Sequence, residues 1–570
     1  MESKTENRIN ECISHLDITY SYQLAKQMET HKTNPVLGFR TAGSDAEHKT
    51  GDFLYEEMKR IGLQNVTKDE FWLDSWTFER AVLRFQDQHG ELHTCQMGAY
   101  QTNFETDGFE TYDLVYVGRG TASDYEGLNV RGKLVLADIN QRDEWWINYP
   151  VYQAYLKGAV GLIAVQTQGY AEIDPRALNA QDIAGPEYAP AFSLSRQDAS
   201  YLKELLCPED PAVSHPSSVA VELNASSWVE RNRPAYNITG YLPGTAASEG
   251  DDRMILLSAH YDSYFDGFQD DNCAVSMTFG IIKALIDSGY QPRYTIAVCA
   301  LAAEEWGVCD SKFDWSTGAW NQVFRVHPEW QGRVIADLNF ELPAHAHNTQ
   351  DAIRSTYESA DFLKHFCENV TVPKEAYPDG LTVLAPIETW SDDFSIAISG
   401  IPSTVNDFSA GPFMETHYHS QYDNEEFYQE AVYRFHHELY TRLLVTLDQL
   451  TLPPLDFSRH FLAMKSSVAD CLAAQSNAPA EVLEEIPALL EGISKVFESA
   501  DLLYEKIQEI NNHTVSADFP MVSGLSSKLL HIFRKMQEKM RILTFLELPL
   551  WENQTSANLL WSTSCWERIV

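Results

Sequence analysis

The chain has 570 residues, of which 44% are hydrophobic and 22% are charged. This length exceeds what one hydrophobic core supports, so two or three domains are expected. The 42 basic side chains against 82 acidic ones leave a formal net charge of −40. Such an excess of negative charge argues against nucleic acid and anionic membranes as partners.

The sequence also bears on the cellular compartment. No apolar run approaches the roughly 18 residues that a membrane-spanning helix needs, and the polar N-terminus lacks the apolar core of a signal peptide. The nine cysteines are scattered and form no Cys-x-x-Cys pair, which favours reduced thiols. We therefore expect a cytoplasmic protein.

The first 232 residues change character near residue 75. Up to residue 74 the pattern is helical and then strand-forming, and Phe53, Leu54, Met58 and Ile61 have the spacing of one face of an amphipathic helix. From 75 to 232, short apolar runs bounded by glycines predict strands, with one helix over 151–158. We expect this segment to be an inserted β-rich module without catalytic residues.

The remaining residues divide into a core and a tail. From Ala235 to about Leu450 strands alternate with helices, which is typical of an α/β fold. The Pro453-Pro454 pair ends this core, and the tail is predicted to be helical. Apolar side chains of the tail recur every three or four residues, as in helices that pack by one face. They are Leu489, Ile493, Val496, Ala500, Leu503 and Ile507, and then Ile532, Met536, Met540 and Leu543.

Polar side chains stand at the ends of the predicted core strands. The run from Met254 to Ala259 is a buried strand that ends in His260-Tyr-Asp262, and a loop then delivers Asp271 before a helix over 274–286. Each has an ordinary structural explanation, since an aspartate before a helix is usually a cap. The pattern nevertheless recurs, because later apolar runs end in Glu304-Glu305 and in Glu341, and Tyr418-His419 follows.

This recurrence favours a metal site over core packing. Buried charge is costly unless it is paired or bound to metal, and open α/β sheets place their sites at the carboxyl ends of strands. Imidazole and carboxylate ligands suit zinc. Two such ions can acidify a water and polarise a carbonyl for amide hydrolysis. Of two adjacent glutamates, one can bind metal while the other takes a proton.

These motifs resemble the zinc-dependent exopeptidase family of bacterial leucyl aminopeptidases and glutamate carboxypeptidase II, which is metallopeptidase family twenty-eight. The family pattern is His-x-Asp, Gly-x-x-Asp-Asn, Glu-Glu-x-Gly, an Asp after a strand, and a late Tyr-His. Glu341 departs from the commoner Asp but remains an oxygen ligand. Here the motifs read, in order, His260-Tyr-Asp262, Gly267 to Asn272, Glu304-Glu305-Trp-Gly307, Glu341 and Tyr418-His419.

The resemblance implies the fold and the domain organisation. We expect an α/β protein whose mixed-sheet zinc-exopeptidase core, of the phosphorylase/hydrolase-like type, comprises residues 1–74 and 233–452. The insert 75–232 would be a protease-associated, or apical, domain. Residues 453–570 would be a helical domain through which two chains dimerise. A peptide substrate and two zinc ions per chain are implied as well.

The resemblance also implies roles for single residues. Asp271 would bridge the two zinc ions, while Glu304 would be the general base. Asp262 would orient His260, and Tyr418 could donate to the oxyanion. The remaining ligands would be His260 and Glu341 at one zinc ion, and Glu305 and His419 at the other.

Several functions are compatible with this pattern. The leading one is a cocatalytic di-zinc exopeptidase. A non-catalytic receptor-like homologue, as the transferrin receptor is, would have lost ligands, whereas all five ligand positions here hold competent residues. A glutaminyl cyclase has the same fold but binds only one zinc ion. The complete set of ligands for two metal ions favours the peptidase over the cyclase.

Charge suggests which end of a peptide is read. A carboxypeptidase of the glutamate carboxypeptidase type holds a terminal carboxylate, normally with arginine or lysine. Residues 375–416 contain no basic side chain, and their acids should attract an amine, so an aminopeptidase is expected. Arginines of the insert would reverse this expectation if they reach the site. The acids are Glu375, Asp379, Glu388, Asp392, Asp393, Asp407 and Glu415, and the arginines are Arg119, Arg131, Arg176 and Arg196.

Overall fold

A computed structural model describes residues 2–144, 146–181, 188–207, 217–309, 315–409, 411–474, 480–512 and 519–545. The expected α/β class is confirmed, since helices pack around a large mixed sheet. The described part contains no helix with both the length and the apolar character needed to cross a membrane.

Fifteen strands of the described residues join in one sheet, in the order β14-β13-β15-β12-β10-β11-β9-β5-β6-β7-β8-β3, with β1, β2 and β4 paired beside this path. The strands are β1 (Gln64–Gln86), β2 (Leu92–Gln96), β3 (Gly98–Ala99), β4 (Phe104–Glu105), β5 (Glu110–Tyr116), β6 (Leu134–Asn140), β7 (Gly161–Gln168), β8 (Ala191–Ser193), β9 (Val219–Leu242), β10 (Met254–His260), β11 (Thr295–Leu301), β12 (Val334–Asn339), β13 (Asp351–Ser355), β14 (Leu381–Leu384) and β15 (Ser403–Asn406).

The strands that the sequence predicted around the site lie at the centre of the sheet. Strand β10 pairs in parallel with β11 on one side and β12 on the other, and β12 pairs in parallel with β15. Every side chain of β10 and β12 is buried, as expected for parallel strands covered on both faces. Because β10, β11, β12 and β15 are parallel, their carboxyl ends meet at one edge.

Two long strands connect the core to the insert. Strands β1 and β9 pair antiparallel over most of their length, with an irregularity between Leu73 and Ser75 opposite Arg233 and Glu230. On the insert side of this irregularity β9 also pairs with β5, and the sheet continues from β5 through β6 and β7 to β8. The insert also has a hydrophobic cluster of its own, which includes Tyr100, Val135 and Ile147. The proposed boundaries at 74/75 and 232/233 therefore fall beside this irregularity.

Helices cover the sheet and form the tail. They are α1 (Glu2–Ser14), α2 (Ile18–Met28), α3 (Asp45–Ile61), α4 (Asn148–Leu156), α5 (Arg196–Leu206), α6 (Ala274–Asp287), α7 (Thr317–Asn321), α8 (Ala360–Cys367), α9 (Asp392–Ser399), α10 (Phe413–Thr416), α11 (Glu430–Gln449), α12 (Phe457–Ala474), α13 (Ala480–Asn511) and α14 (Phe519–Phe545).

Helix α3 shows how local sequence sets these boundaries. Ser44 caps its first turn by accepting the backbone N–H of Glu47, and Gly62 ends it in the left-handed conformation with φ of 106°. The tail helix α13 is less uniform than its apolar stripe predicted. Ile493 and Ile507 are buried, whereas Leu489 and Val496 of the same stripe are exposed.

Candidate metal centre and active site

The side chains that the sequence singled out meet at the carboxyl edge of the parallel strands. His260 is the last residue of β10. Glu304 and Glu305 follow β11, and Glu341 follows β12. A loop after α10 brings His419 to the same place, where its imidazole Nε2 lies 3.0 Å from Glu305 Oε2. All five side chains are buried.

Two groups of three potential metal ligands form there and share one carboxylate, Asp270. In the first, His260 Nε2 lies 3.1 Å from Asp270 Oδ1 and 3.6 Å from Glu341 Oε2. In the second, His419 Nε2 lies 3.4 Å from the other oxygen of Asp270, Oδ2. The remaining member of the second group is Glu305. One aspartate therefore stands between the two imidazoles.

The central carboxylate differs from the one that the sequence suggested. Asp271 was expected to bridge, but its Oδ1 accepts the backbone N–H of Leu342 at 3.1 Å, and its Oδ2 lies 4.0 Å from His260 Nε2. Asp270 is held in place by Asp423, whose two oxygens accept the N–H groups of Gln269 and Asp270. Asp270 rather than Asp271 therefore lies between the two imidazoles, and the peptide bond between these two aspartates is cis.

Asp262 lies beside His260 and also accepts hydrogen bonds from the backbone of the glutamate pair. Both the carbonyl and the Oδ1 of Asp262 lie near His260 Nδ1, at 3.2 and 3.3 Å. These two oxygen neighbours can accept a proton held on Nδ1, which would leave Nε2 for a metal ion. The Asp262 carboxylate also accepts the backbone N–H groups of Glu304 at 2.9 Å and Glu305 at 3.1 Å.

Glu341 is oriented by neighbours that the sequence analysis did not assign. Ser391 Oγ donates to Glu341 Oε1 at 2.5 Å, and Asn339 Nδ2 donates to Ser391 Oγ at 2.8 Å. The backbone of Glu341 is bound by Asn406, whose Oδ1 accepts its N–H. No local pattern could have revealed this role of Ser391, because a serine has no spacing signal that ties it to a carboxylate 50 positions away in the chain.

The insert takes part in building the site. Its backbone N–H groups at Glu172 and Ala180 donate to the carbonyls of Glu415 and His419, each at 3.1 Å. The N–H of Leu178 donates to the side chain of Gln421 at 2.8 Å. These bonds hold the loop that carries His419. The insert, which was expected to carry no catalytic residues, therefore helps to position a candidate ligand.

A cavity of about 220 Å³ opens onto this centre. Its floor includes Glu304, Glu305 and His419, and the ring of Tyr418 stacks on that of His419 with centroids 3.7 Å apart. Burial raises the pKa of Tyr418 well above its usual value, so its hydroxyl remains a hydrogen-bond donor. Aromatic side chains from the insert and the core line the walls, namely Trp146, Tyr170, Trp315 and Trp390.

The cavity also contains an arginine that the sequence analysis did not single out. Arg142 lines the wall, and its guanidinium pairs with Glu172 at 2.8 Å and with Glu415, to which its Nε donates at 3.2 Å. The four arginines named from the sequence are not among the described residues that line the cavity. Of the acids named there, Glu415 lines it, whereas Glu388 and Asp407 pair with Arg354.

The electrostatics of the centre suit a cation. Burial raises the pKa of Glu304 well above its ordinary value and that of Glu305 to about 7. Burial opposes the charging of His419, but Glu305 and Asp270 raise its pKa to about 10. Glu305 Oε1 is buried without a hydrogen-bond partner among the described residues. Carboxylates crowded in this way need positive charge, and the residues present fit zinc ligation.

The fold has counterparts among solved structures. The chain is similar to a zinc aminopeptidase from Bacillus subtilis, with a TM-score of 0.55 and 17% identity over 75% of this chain and 95% of that one. This likeness shows a shared fold, in agreement with the expected zinc-exopeptidase core.

Residues 237–443 match the family described as Peptidase family M28, and this stretch contains both ligand groups. The chain therefore contains a domain of Peptidase family M28. It is 27% identical over 310 residues to a probable leucine aminopeptidase 2 from Aspergillus oryzae (strain ATCC 42149 / RIB 40), covering 54% of this chain and 55% of that protein. It is 21% identical over 278 residues to carboxypeptidase Q from Mus musculus, covering 48% and 57%. The matches thus span about half the length of these curated relatives.

Proposed function

We propose that the protein is a zinc-dependent exopeptidase of the aminopeptidase type. The observation that carries this proposal is the pair of ligand groups that share Asp270 beneath a cavity containing Glu304. Its domain of Peptidase family M28 supports the proposal, and the printed names of the Bacillus and Aspergillus relatives agree with it.

Two zinc ions per chain are proposed. His260 and Glu341 would hold one, Glu305 and His419 would hold the other, and Asp270 would bridge them in place of Asp271. When bound, zinc would lower the pKa of a water molecule and polarise the scissile carbonyl. The mixed donor set is the support, since imidazole and carboxylate are both zinc ligands.

The chain's own residues would supply proton transfer and orientation. Glu304 is proposed as the general base because it lines the cavity and belongs to neither ligand group. Asp262 would fix the His260 tautomer and the direction of the glutamate pair. Tyr418, protonated and in the cavity wall, would donate to the oxygen that becomes negative in the transition state.

The substrate's free end is proposed to be its N-terminus. Among the described lining residues Arg142 is the only arginine or lysine, and two carboxylates already compensate its charge. A substrate carboxylate would therefore have to displace Glu415 from Arg142, whereas an ammonium group needs no such displacement. The alternative is a carboxypeptidase, which the printed name of the mouse relative keeps open.

Matched peptides test this proposal. Each peptide is offered free, N-acetylated and C-amidated, with and without a chelator, and its cleavage is followed by mass spectrometry. We expect acetylation to abolish cleavage and amidation to leave it intact, with activity lost to the chelator and restored by zinc. Cleavage that survives acetylation and is lost on amidation would contradict the aminopeptidase assignment. The variant Arg142→Gln should change KM by the same factor for the free and the C-amidated peptide, because Arg142 is not expected to bind the terminal carboxylate.

The domain boundaries and a homodimer through residues 453–570 are also proposed. Leu489, Val496 and Leu502 of α13 and Ile532 of α14 are exposed apolar side chains, which supports a partner for this tail. Light scattering at micromolar concentration should give the mass of two chains. The variant Val496→Glu should shift it toward one chain, and a monomeric wild type would contradict the proposal.

A further inference from the structure

A buried glutamate of the N-terminal segment reaches the turn that carries the proposed base. Glu47 lies in the first turn of α3 and is fully buried, outside the residues that match the family. One carboxylate oxygen, Oε2, accepts the N–H of Gly43 at 2.6 Å. The other, Oε1, accepts the N–H of Ala303 at 3.1 Å, 256 positions later in the chain.

Helix capping explains only half of this arrangement. Ser44 accepts the N–H of Glu47 at 3.2 Å, and the Glu47 side chain returns to the backbone just before the helix, as in a capping box. That arrangement uses Oε2 and concerns α3 alone. The bond from Ala303 to Oε1 adds nothing to the cap, so it points to a second role.

The turn from Ala303 to Glu305 is bound at each successive amide by a buried carboxylate. Glu47 accepts the N–H of Ala303, and Asp262 accepts those of Glu304 and Glu305. Ala303 has a positive φ of 57°, a conformation that a residue with a side chain adopts uncommonly and that needs support from its surroundings. The direction in which the Glu304 side chain leaves the backbone is therefore set by both carboxylates.

Arg40 ties the same N-terminal segment to the other side of the site. Its guanidinium is buried and donates to the carbonyl of Tyr261 and to the side chain of Asn272. Its backbone exchanges two hydrogen bonds with Ser263, each of 3.0 Å. The segment from Arg40 to Glu47 thus contacts both the loop after β10 and the turn after β11.

We propose that Glu47 is a positioning residue for Glu304, which it orients through the backbone of Ala303. The inference rests on the proposed function, in which Glu304 is the general base. Because Glu47 touches neither the cavity nor the ligand groups, its loss should slow proton transfer without removing zinc or weakening substrate binding.

Glu47→Gln tests the inference in zinc-reconstituted full-length protein. The amide keeps one acceptor, but its NH2 must face the N–H of either Gly43 or Ala303. We expect kcat to fall about 10- to 100-fold, the size of effect that a small misplacement of a catalytic group produces. KM should change less than about threefold and zinc content should not change. If this variant does not fold, Glu47→Asp, which keeps the carboxyl group and shortens its reach, replaces it, with the same fall in kcat expected.

Two controls separate positioning from stability. Ser44→Ala removes the capping bond to Glu47 and leaves Ala303 untouched. Glu57→Gln removes another buried carboxylate from α3, one that pairs with Arg60 and Tyr20 instead. Both should retain kcat within about twofold, because neither contacts the turn that carries Glu304.

The double variant Glu47→Gln with Glu304→Gln gives the decisive comparison. If Glu47 acts through Glu304, the kcat of the double variant should be no lower than that of Glu304→Gln alone, because the effects of residues that act as a unit do not add. A wild-type kcat in Glu47→Gln, an equal loss in Ser44→Ala, or additive losses in the double variant would overturn the inference. A wild-type kcat in Glu304→Gln would instead overturn the proposed function, and this inference with it.

Discussion

The choice between Asp270 and Asp271 as the bridging carboxylate can be tested with two isosteric changes. Asp270→Asn leaves one good acceptor oxygen, so one ligand group keeps three members and the other drops to two. Asp271→Asn keeps the Oδ1 that accepts the Leu342 N–H at 3.1 Å and changes only an atom 4.0 Å from His260 Nε2.

The expected magnitude follows from this ligand count. Mutation of a residue that only supports a metal ligand lowers metal affinity about 10- to 100-fold. Mutation of a ligand shared by two sites should therefore lower zinc affinity by at least about 100-fold. That factor corresponds to about 2.8 kcal/mol of binding free energy. Asp270→Asn should therefore retain about one zinc ion or fewer after dialysis, whereas Asp271→Asn should retain about two.

Both variants are reconstituted with zinc, dialysed against a buffer with a weak chelator, and measured by elemental mass spectrometry. Circular dichroism on the same samples checks that each is folded. If Asp271→Asn loses zinc while Asp270→Asn keeps it, the geometric assignment is refuted and the original one from the sequence is restored. Unchanged zinc in both would refute a bridging role for either carboxylate.

Further predictions concern the glutamate pair, the support of Glu341 and a buried acid far from the site. Glu304→Gln should lower turnover about 100-fold or more and leave the zinc content unchanged, whereas Glu305→Gln should lose zinc. Kinetics and metal analysis of both variants test this, and the opposite pattern would show that the two roles are exchanged. Ser391→Ala should weaken zinc affinity about 10- to 100-fold, measured by competition with a chelator, because Glu341 Oε1 loses its donor; unchanged affinity would contradict this. Burial raises the pKa of Glu358 to about 7, so the folded protein binds more protons than the unfolded chain between its ordinary value of 4.5 and 7, and stability falls as pH rises through that window. In denaturant unfolding, the free energy of unfolding of Glu358→Gln should therefore exceed that of the wild type at pH 8 by up to about 3 kcal/mol, and by less at pH 4. An equal difference at the two pH values would contradict the proposed titration of Glu358.

Much of the fold was readable from local patterns. The apolar runs before His260 and Glu341 became the buried strands β10 and β12, and the predicted helix over 274–286 became α6. These elements are predictable because strand and helix periodicity is a local property. The pairing of β1 with β9 was not foreseen, since strand partners far apart in sequence leave no local signal.

The sequence by itself determined which kinds of side chain end the core strands, and hence that His260, Glu305 and Glu341 would lie at one sheet edge, whereas His419 was assigned only through the resemblance. It could not choose between Asp270 and Asp271, because adjacent carboxylates have the same chemistry and only the path of the backbone decides which one lies between the imidazoles. The parts played by Glu47 and Arg142 were likewise decided only by tertiary structure. Their partners, Ala303 and Glu415, are more than two hundred positions away in the chain. Hydrogen bonds and ion pairs depend on distances of a few ångströms, which only the folded chain establishes.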